Sequence, residues 1–378
     1  MKRYPFLSLA DTNAPYLERM KEAAARVIDS GRYIGGPEVE RFEKHLAETV
    51  QVPHAVGVAN GLDALRLILR AYIHLGRLQP GDEVLVPANT YIATFLAISD
   101  AGLKPIPVEP SPVTMNIDST LIEDAVTSKT RAIMPVHLYG RVAWDETMAD
   151  VVKRHDLLVI EDNAQAIGAR ATVPGLNGHF PTGSLGHAAA FSFYPTKNIG
   201  ALGDAGAVTT ADPALAATVR ALANYGSDRR YHNIMQGFNS RLDPIQAAIL
   251  DVKLDYLDLE NAARFDRAVA YSNNITNPAV GLPLMSSMPT DCVWHQYVIT
   301  VDPARRDKIR QLLLDRGVET DIHYAVPPHL QPCYAAEFAG VQLPVTERLV
   351  NSIISLPIGP GTPITDIVEI SHIINVTI

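Results

Sequence analysis

Short apolar runs alternate with helix-spaced ones through the first half of the chain. Residues 14–50 carry helical spacing, broken at "SGRYIGGPEVERFE", where Gly31, Gly35, Gly36 and Pro37 cluster. "HAVGVAN" reads as a short strand, and "GLDALRLILRAYIHLG" directly behind it as an amphipathic helix. The alternation continues with "DEVLVP", "KPIPVE", "TRAIMPVHLYG" and "DLLVIED" as strands, and "TYIATFLAISDAG", "STLIEDAV" and "TMADVVKRH" as helices. Strands that alternate with helices require crossover connections, and therefore a mainly parallel sheet covered on both faces. A run as continuously apolar as "LLVI" fits a strand buried on both sides.

"AAAFSFY" and "GAVTTAD" follow one another with little helix between them, which points to an antiparallel excursion there. After about residue 255 the character changes. A helix near 243–273 leads into "CVWHQYVITVD", "RRDKIRQLLLDRG" and "VETDIHYAVPPH", a strand–helix–strand series that predicts a smaller α+β domain. The expected fold class is α/β, with a large domain over residues 1–250 and a small C-terminal domain over 251–378.

With 378 residues, 47% hydrophobic and 19% charged, the chain can bury one large core and a smaller one. Its formal net charge of −9 is not that of a nucleic-acid binder. Two cysteines, Cys292 and Cys333, provide neither a disulfide framework nor a metal-spaced group, and suit a reducing cytoplasm. "MKRYPFLSLADTNAPYLERM" makes a poor signal peptide, and no apolar run of about 18 residues predicts a membrane span. No histidine pair at i, i+4 accompanies a carboxylate, so no metal site is expected. No G-x-S-x-G elbow occurs, and no intact G-x-G-x-x-G opens a helix after the first strand.

In open α/β sheets, ligands collect at the carboxyl ends of strands. "VAN-GLDAL" sets Asn60, Gly61 and Leu62 at such a junction: either an ordinary tight turn or a phosphate seat on helix N-terminal N–H groups. "VIEDNAQA" sets Glu161 and Asp162 at the end of a buried strand. A carboxylate there either caps the next helix or holds the positive ring nitrogen of a cofactor. Tyr91, in "VPANTYIAT", fills core or rim, or stacks on a planar ligand. "FSFYPTKN" supplies Ser192, Tyr194 and Lys197. Lys197 follows an aromatic strand and precedes the glycines of "NIGALGDAG", which admit close backbone approach. It is either a snorkelling surface lysine or an amine in a low-polarity pocket, its pKa depressed, able to form a Schiff base with an aldehyde cofactor. A phosphate turn, a ring-stacking aromatic, a strand-end acid and a strand-end lysine together make the parts list for pyridoxal phosphate.

These motifs resemble the sugar-nucleotide aminotransferases of the DegT/StrS group, within the aspartate-aminotransferase fold type. The resemblance runs through "SGRYIGGPEVERFE", "NGLDAL", "PANTYIAT", "PVHLYG", "IEDNAQAIGA", "FSFYPTKN", "GDAGA" and "GFNSRLDPIQAAIL", and continues to nearly the end of the chain. It implies a seven-stranded-type mixed sheet and pyridoxal 5′-phosphate (PLP, aminated as PMP) as cofactor. Lys197 matches the Schiff-base lysine, Asp162 the acid paired with the pyridine nitrogen, Gln165 the ring-hydroxyl contact and Tyr91 the stacked aromatic. Ser192 with the backbone of Gly61 and Leu62 matches the phosphate seat. Asn239 matches an asparagine that reaches the phosphate from the partner subunit, which implies a homodimer with shared active sites. Ala205 and Asn163 depart from the family pattern, which shows glycine and a small residue there. The resemblance further implies ping-pong amino transfer from L-glutamate to a keto-sugar nucleotide. "VETDIHYAVPPHLQPCY" is similar to the subgroup acting at carbon 3 of dTDP-3-oxo-6-deoxyhexoses. His323 and Tyr324, with Tyr194 opposite, then line the sugar pocket, and Arg229 and Arg230 meet the diphosphate; a structural loop and a solvated basic turn are the bland alternatives. Amination at carbon 4, a PLP-binding regulator and a PLP-dependent sugar dehydratase are the competing functions. The dehydratase subgroup carries histidine at the lysine position, which Lys197 opposes.

Overall fold

Alternation of side chains along each strand decides which layer a residue joins. The computed structural model describes residues 2–173, 178–285 and 288–378. Seven strands form its main sheet: β1 (His54–Val58), β2 (Glu83–Pro87), β3 (Lys104–Val108), β4 (Thr130–Ile133), β5 (Leu158–Asp162), β6 (Ala188–Ser192) and β7 (Gly206–Thr210). They lie in the order β1-β7-β6-β5-β4-β2-β3. Six run parallel; β7 alone is reversed, antiparallel to both β1 and β6. The expected mixed sheet and its antiparallel excursion are both present.

Val56, Val58, Ala132, Leu158, Ile160, Ala188, Ala190 and Val208 face one core, shared with the helices Gly61–His74, Ile92–Asp100 and Pro213–Ala223. Their immediate neighbours face the other side: Ala55, Ala189, Phe191 and Ala207 pack with Phe42, Leu46 and Leu250, while Ile133 and Val159 pack with Met148 and Val151. Near-continuous apolarity in the strands is thus the consequence of helices on both faces.

A second core joins Tyr271, Trp294, Tyr297, Ile299, Leu313, Ile354 and Ile370. Its short sheet pairs β8 (Tyr297–Thr300) with β9 (Ile353–Leu356). Tyr4, at the other end of the chain, packs into the same core and bridges Val318.

Three local expectations give way to tertiary packing. The helix near 243–273 is two helices, Pro244–Leu254 and Leu257–Asn274. At the break, the Tyr256 ring stacks on Tyr16 at 5.0 Å and its hydroxyl accepts from Arg19. "STLIEDAV" forms a single 3₁₀ turn and the four-residue helix Ile122–Ala125. "VETDIHYAVPPH" is not a strand: it touches the small sheet at one bridge, Asp321 to Ser355, then turns away with its Pro327-Pro328 pair. In "TRAIMPVHLYG" only Thr130–Ile133 is strand, and the remainder loops past the sheet edge.

Adjacent acids at the end of β5 take opposite roles because they face opposite layers. Glu161 is fully buried, and each of its oxygens accepts two hydrogen bonds. Oε1 takes the Leu185 and Gly186 N–H groups at 2.8 Å each, and Oε2 takes Gly183 N–H at 2.8 Å and His137 Nε2 at 2.9 Å. His137 Nδ1 accepts from Ala143 N–H, so the ring proton is on Nε2. Glu161 therefore shapes the turn that feeds β6, and Asp162 faces the other layer. Beside them Asn163 is buried with neither amide atom hydrogen-bonded.

Glu161→Ala leaves one buried and two half-buried N–H groups and a buried histidine unpaired. It is expected to destabilise the protein by about 3 kcal/mol or more, measured by urea denaturation.

Candidate active site

The carboxyl ends of β1, β2, β5 and β6 converge on a cavity of about 580 Å³. Each strand delivers its residue through the loop that follows it. After β1, Asn60 caps the helix Gly61–His74, its Oδ1 accepting from Asp63 N–H at 2.9 Å. The N–H groups of Gly61 and Leu62, both lining the cavity, lie outside the helix ladder. Ser192 sits against this turn so closely that a Cβ on Gly61 would lie 2.6 Å from the Ser192 Cβ, so glycine is required there. Together they form an anion cradle at a helix N-terminus.

After β2, Tyr91 stands half-exposed at the start of the helix Ile92–Asp100, its ring 4.9 Å from that of Tyr324. One turn along, Thr94 donates from Oγ1 to Asp162 Oδ2 at 2.9 Å and lies 2.9 Å from the Thr90 hydroxyl. With the Thr94 proton committed to Asp162, Thr90 is the donor to Thr94. Asp162 Oδ1 accepts Ala164 N–H at 3.2 Å. Gln165 is clamped at both ends: Oε1 accepts Tyr139 N–H at 2.6 Å and Nε2 donates to the Tyr324 hydroxyl at 2.9 Å.

After β6, the chain folds tightly to present Lys197. Lys197 N–H donates to Tyr194 O at 2.8 Å, and a Cβ on Gly200 would lie 2.1 Å from Pro195 O. Burial lowers the Lys197 pKa to about 8, the Asp162 charge acting in the other direction. Burial raises the Asp162 pKa, opposed first by the Thr94 bond, then by Ala164 N–H and the Lys197 charge. The two groups thus sustain each other's ionised forms in a site that disfavours either alone.

The far wall comes from the C-terminal part of the chain: His295, Gln296, His323 and Tyr324 line it. His323 is anchored by its Nδ1 to Ser355 Oγ at 2.8 Å, and its carbonyl accepts the Tyr139 hydroxyl.

Residues 16–375 match the profile of the DegT/DnrJ/EryC1/StrS aminotransferases. This chain belongs to that family. It is 46% identical, over 95% of its length and 92% of the relative's, to the dTDP-3-amino-3,4,6-trideoxy-alpha-D-glucose transaminase of Streptomyces venezuelae. The fold matches the crystal structure of S. venezuelae DesV in complex with a ketimine intermediate, with a TM-score of 0.92 at 43% identity over 99% of this chain and 98% of that one. It also matches a Bacillus subtilis protein, NtdA, with bound cofactor PMP: TM-score 0.88, 32% identity, 99% of this chain and 86% of that one.

Of the residues expected from sequence, the structure gathers Gly61, Leu62, Tyr91, Asp162, Gln165, Ser192, Tyr194, Lys197, His323 and Tyr324 around one cavity. Asn239, Arg229 and Arg230 do not line it. Asn239 is exposed and bridges Asn224, and the arginines lie on the exposed hairpin of Ser227–Arg229 and His232–Asn233. Arg230 covers the Tyr231 ring at 4.8 Å. His329, in the same motif as His323 and Tyr324, does not line the cavity; its Nε2 lies 3.2 Å from Glu347 Oε1. Sequence reasoning missed Thr94, whose signal was its place one helical turn after Tyr91. It also missed His295 and Gln296, which sit in plain view in "CVWHQYVITVD". Among the described residues no cluster of side chains could hold a metal ion, and no helix is long and apolar enough to cross a membrane.

In protein stripped of small molecules, acylation of Lys197 is expected to rise with pH through a midpoint near 8, read by peptide mass spectrometry. Ordinary surface lysines follow about two units higher. Thr94→Val removes a donor to a buried carboxylate and is expected to slow amino transfer about tenfold, measured by steady-state kinetics.

Proposed function

We propose that this aminotransferase moves an amino group from L-glutamate to the carbon-3 keto group of a dTDP-3-oxo-6-deoxyhexose, with PLP as its cofactor. The observation that carries this reading is the partly buried Lys197 amine sharing one cavity with the buried carboxylate of Asp162, the anion cradle at Gly61 and the rings of Tyr91 and Tyr324. The residues present fit the cofactor. The Gly61–Leu62 turn and Ser192 suit its phosphate, Tyr91 its ring face, Gln165 its hydroxyl and Asp162 its ring nitrogen. The likeness to the dTDP-3-amino sugar transaminase supports carbon 3 and the nucleotide.

When bound, the cofactor supplies an aldehyde that captures amines and a cationic ring that accepts an electron pair. Lys197 is the residue that would hold that aldehyde. Once free, its Nζ would carry the proton from the donor's alpha carbon to the cofactor in the first half of the reaction, and a proton the opposite way in the second. A pKa of about 8 leaves the amine part neutral near neutrality, so it can accept that proton. Asp162 would lend its negative charge to the ring nitrogen, and the Thr90–Thr94 relay keeps that charge in place. His323, Tyr324 and Tyr194 line the end of the cavity that would take the sugar.

The reading includes a homodimer, in which Asn239 reaches the phosphate seat of the partner and Arg229 and Arg230 meet the sugar nucleotide's diphosphate. Their exposure on this chain supports that placement. It also includes a large PLP-binding domain over residues 1–250, a smaller domain over 251–378, and a cytoplasmic setting.

The test is a panel of keto-sugar nucleotides incubated with L-glutamate and read by product mass. The expected result is a dTDP-linked 3-amino sugar, with 2-oxoglutarate in equal amount. A sugar product lighter by one water and carrying no amine would instead indicate a dehydratase. Lys197→Ala is expected to lose both the cofactor's visible absorbance and turnover. Asp162→Asn should retain the cofactor and lose at least about 100-fold in rate, by stopped-flow absorbance.

A further inference from the structure

His295 is locked in one protonation state by a chain of amides. It is 5% exposed, on the cavity wall. Its Nδ1 lies 3.0 Å from Asn198 Oδ1. Asn198 cannot turn over, because its Nδ2 donates to the Val293 carbonyl at 3.1 Å and to Asn261 Oδ1 at 2.9 Å. Asn261 is held in the same way, its Nδ2 donating to the Ile167 carbonyl at 3.0 Å. A main-chain carbonyl only accepts, so each amide must present nitrogen to it and oxygen to the next group. Asn198 Oδ1 is therefore an acceptor, and His295 Nδ1 carries the proton. The lone pair is left on Nε2, the nitrogen not engaged with the interior of the protein.

The surroundings keep the ring neutral. Burial comes first, and the positive charges of Lys197, Arg264 and His323 add to it, so the His295 pKa lies well below the ordinary histidine value. Lys197 shares the cavity with the titratable groups of Asp162 at the end of β5, Asp204 before β7, His295, Tyr91 and Tyr194, and His323 and Tyr324 from the loop beyond Asp321. Asn198, the residue that orients His295, is the chain neighbour of Lys197. One stretch of backbone therefore places both the amine and its neighbour.

We propose that His295 is a positioning residue for Lys197, its Nε2 accepting a hydrogen bond from the released Lys197 ammonium and aiming that amine across the cavity. This rests on Lys197 being the reactive amine of the transfer reaction. An ammonium has three donors and no acceptor. With Asp162 as the one charge that draws it, it would lean toward the strand end. A histidine fixed as an acceptor draws it back toward the substrate side, and because the ring resists protonation it holds the amine without taking its proton.

The experiment uses the full chain stripped of cofactor and follows Lys197 acylation against pH by peptide mass spectrometry. His295→Phe keeps the ring's bulk and removes the acceptor, so the ammonium loses a hydrogen bond. The midpoint is expected to fall by about one unit from the wild-type value, and acylation near pH 7 to rise about tenfold. His295→Gln returns an acceptor close to the Nε2 position and is expected to restore the wild-type midpoint. An unchanged midpoint in His295→Phe overturns the proposal. Should His295→Phe fail to fold, imidazole ¹⁵N NMR of the wild-type protein decides it. A protonated Nδ1 with an unprotonated Nε2 supports the pairing, and the reverse overturns it. Because no cofactor or substrate is present, a chain that shows the shift yet transfers no amine keeps the pairing and loses only the transfer reading.

Discussion

The site rests on setting one partly buried amine and one buried carboxylate in the same cavity. Either charge alone would cost several kcal/mol in such a place, and burial pushes Lys197 toward its neutral form and Asp162 toward its protonated one. The structure opposes the second effect with specific donors. Thr90 backs Thr94, Thr94 donates to Asp162 Oδ2, and Ala164 N–H donates to Oδ1. Lys197 receives no comparable set, so its pKa stays depressed. This asymmetry suits a carboxylate that must remain charged and an amine that must change protonation state.

Everything else in the large layer serves to hold those two groups in register. Parallel strands bring their carboxyl ends to one edge of the sheet, so residues from distant parts of the sequence meet there. The pleat then separates Glu161 from Asp162. One acid organises the turn into β6 through backbone N–H groups, and the other is left for chemistry. Glu109, just past β3, accepts from the N–H groups of Val345 and Thr346 at 2.8 and 2.9 Å, which ties the sheet edge to the helix Pro344–Ser352. Through such contacts the C-terminal part is positioned precisely enough for His323 and Tyr324 to close the cavity.

The cavity has two poles of different origin. One pole is built by the large sheet from Gly61, Ser192, Tyr91, Asp162 and Gln165. Its other pole comes from an irregular segment around His323 and Tyr324, held by Ser355 and by Gln165. An irregular segment tolerates sequence change more readily than a buried strand does, so the second pole is where substrate choice within the family is free to vary.

The alternating apolar runs were enough to establish a mainly parallel sheet with one reversed strand, because burial on two faces leaves that pattern in any sequence. Lys197, Asp162, Ser192 and Tyr91 were legible because each follows a strand within a few residues, where strand order alone brings ligand-binding groups together. The support for them was not. Thr94 lies 68 residues from Asp162, and Asn198 lies 97 from His295. No local pattern announces such pairs, because only the placing of β2 and β5 on either side of β4 in the sheet and the return of the C-terminal segment bring them within hydrogen-bond reach. The same holds for "VETDIHYAVPPH", whose strand-like composition gave way once β9 had paired with β8 and the chain was drawn toward the cavity. Which amine and acid come together in the cavity was legible in the sequence. Their protonation states, and the histidine beside them, were decided by tertiary burial and by hydrogen bonds that exist only after folding.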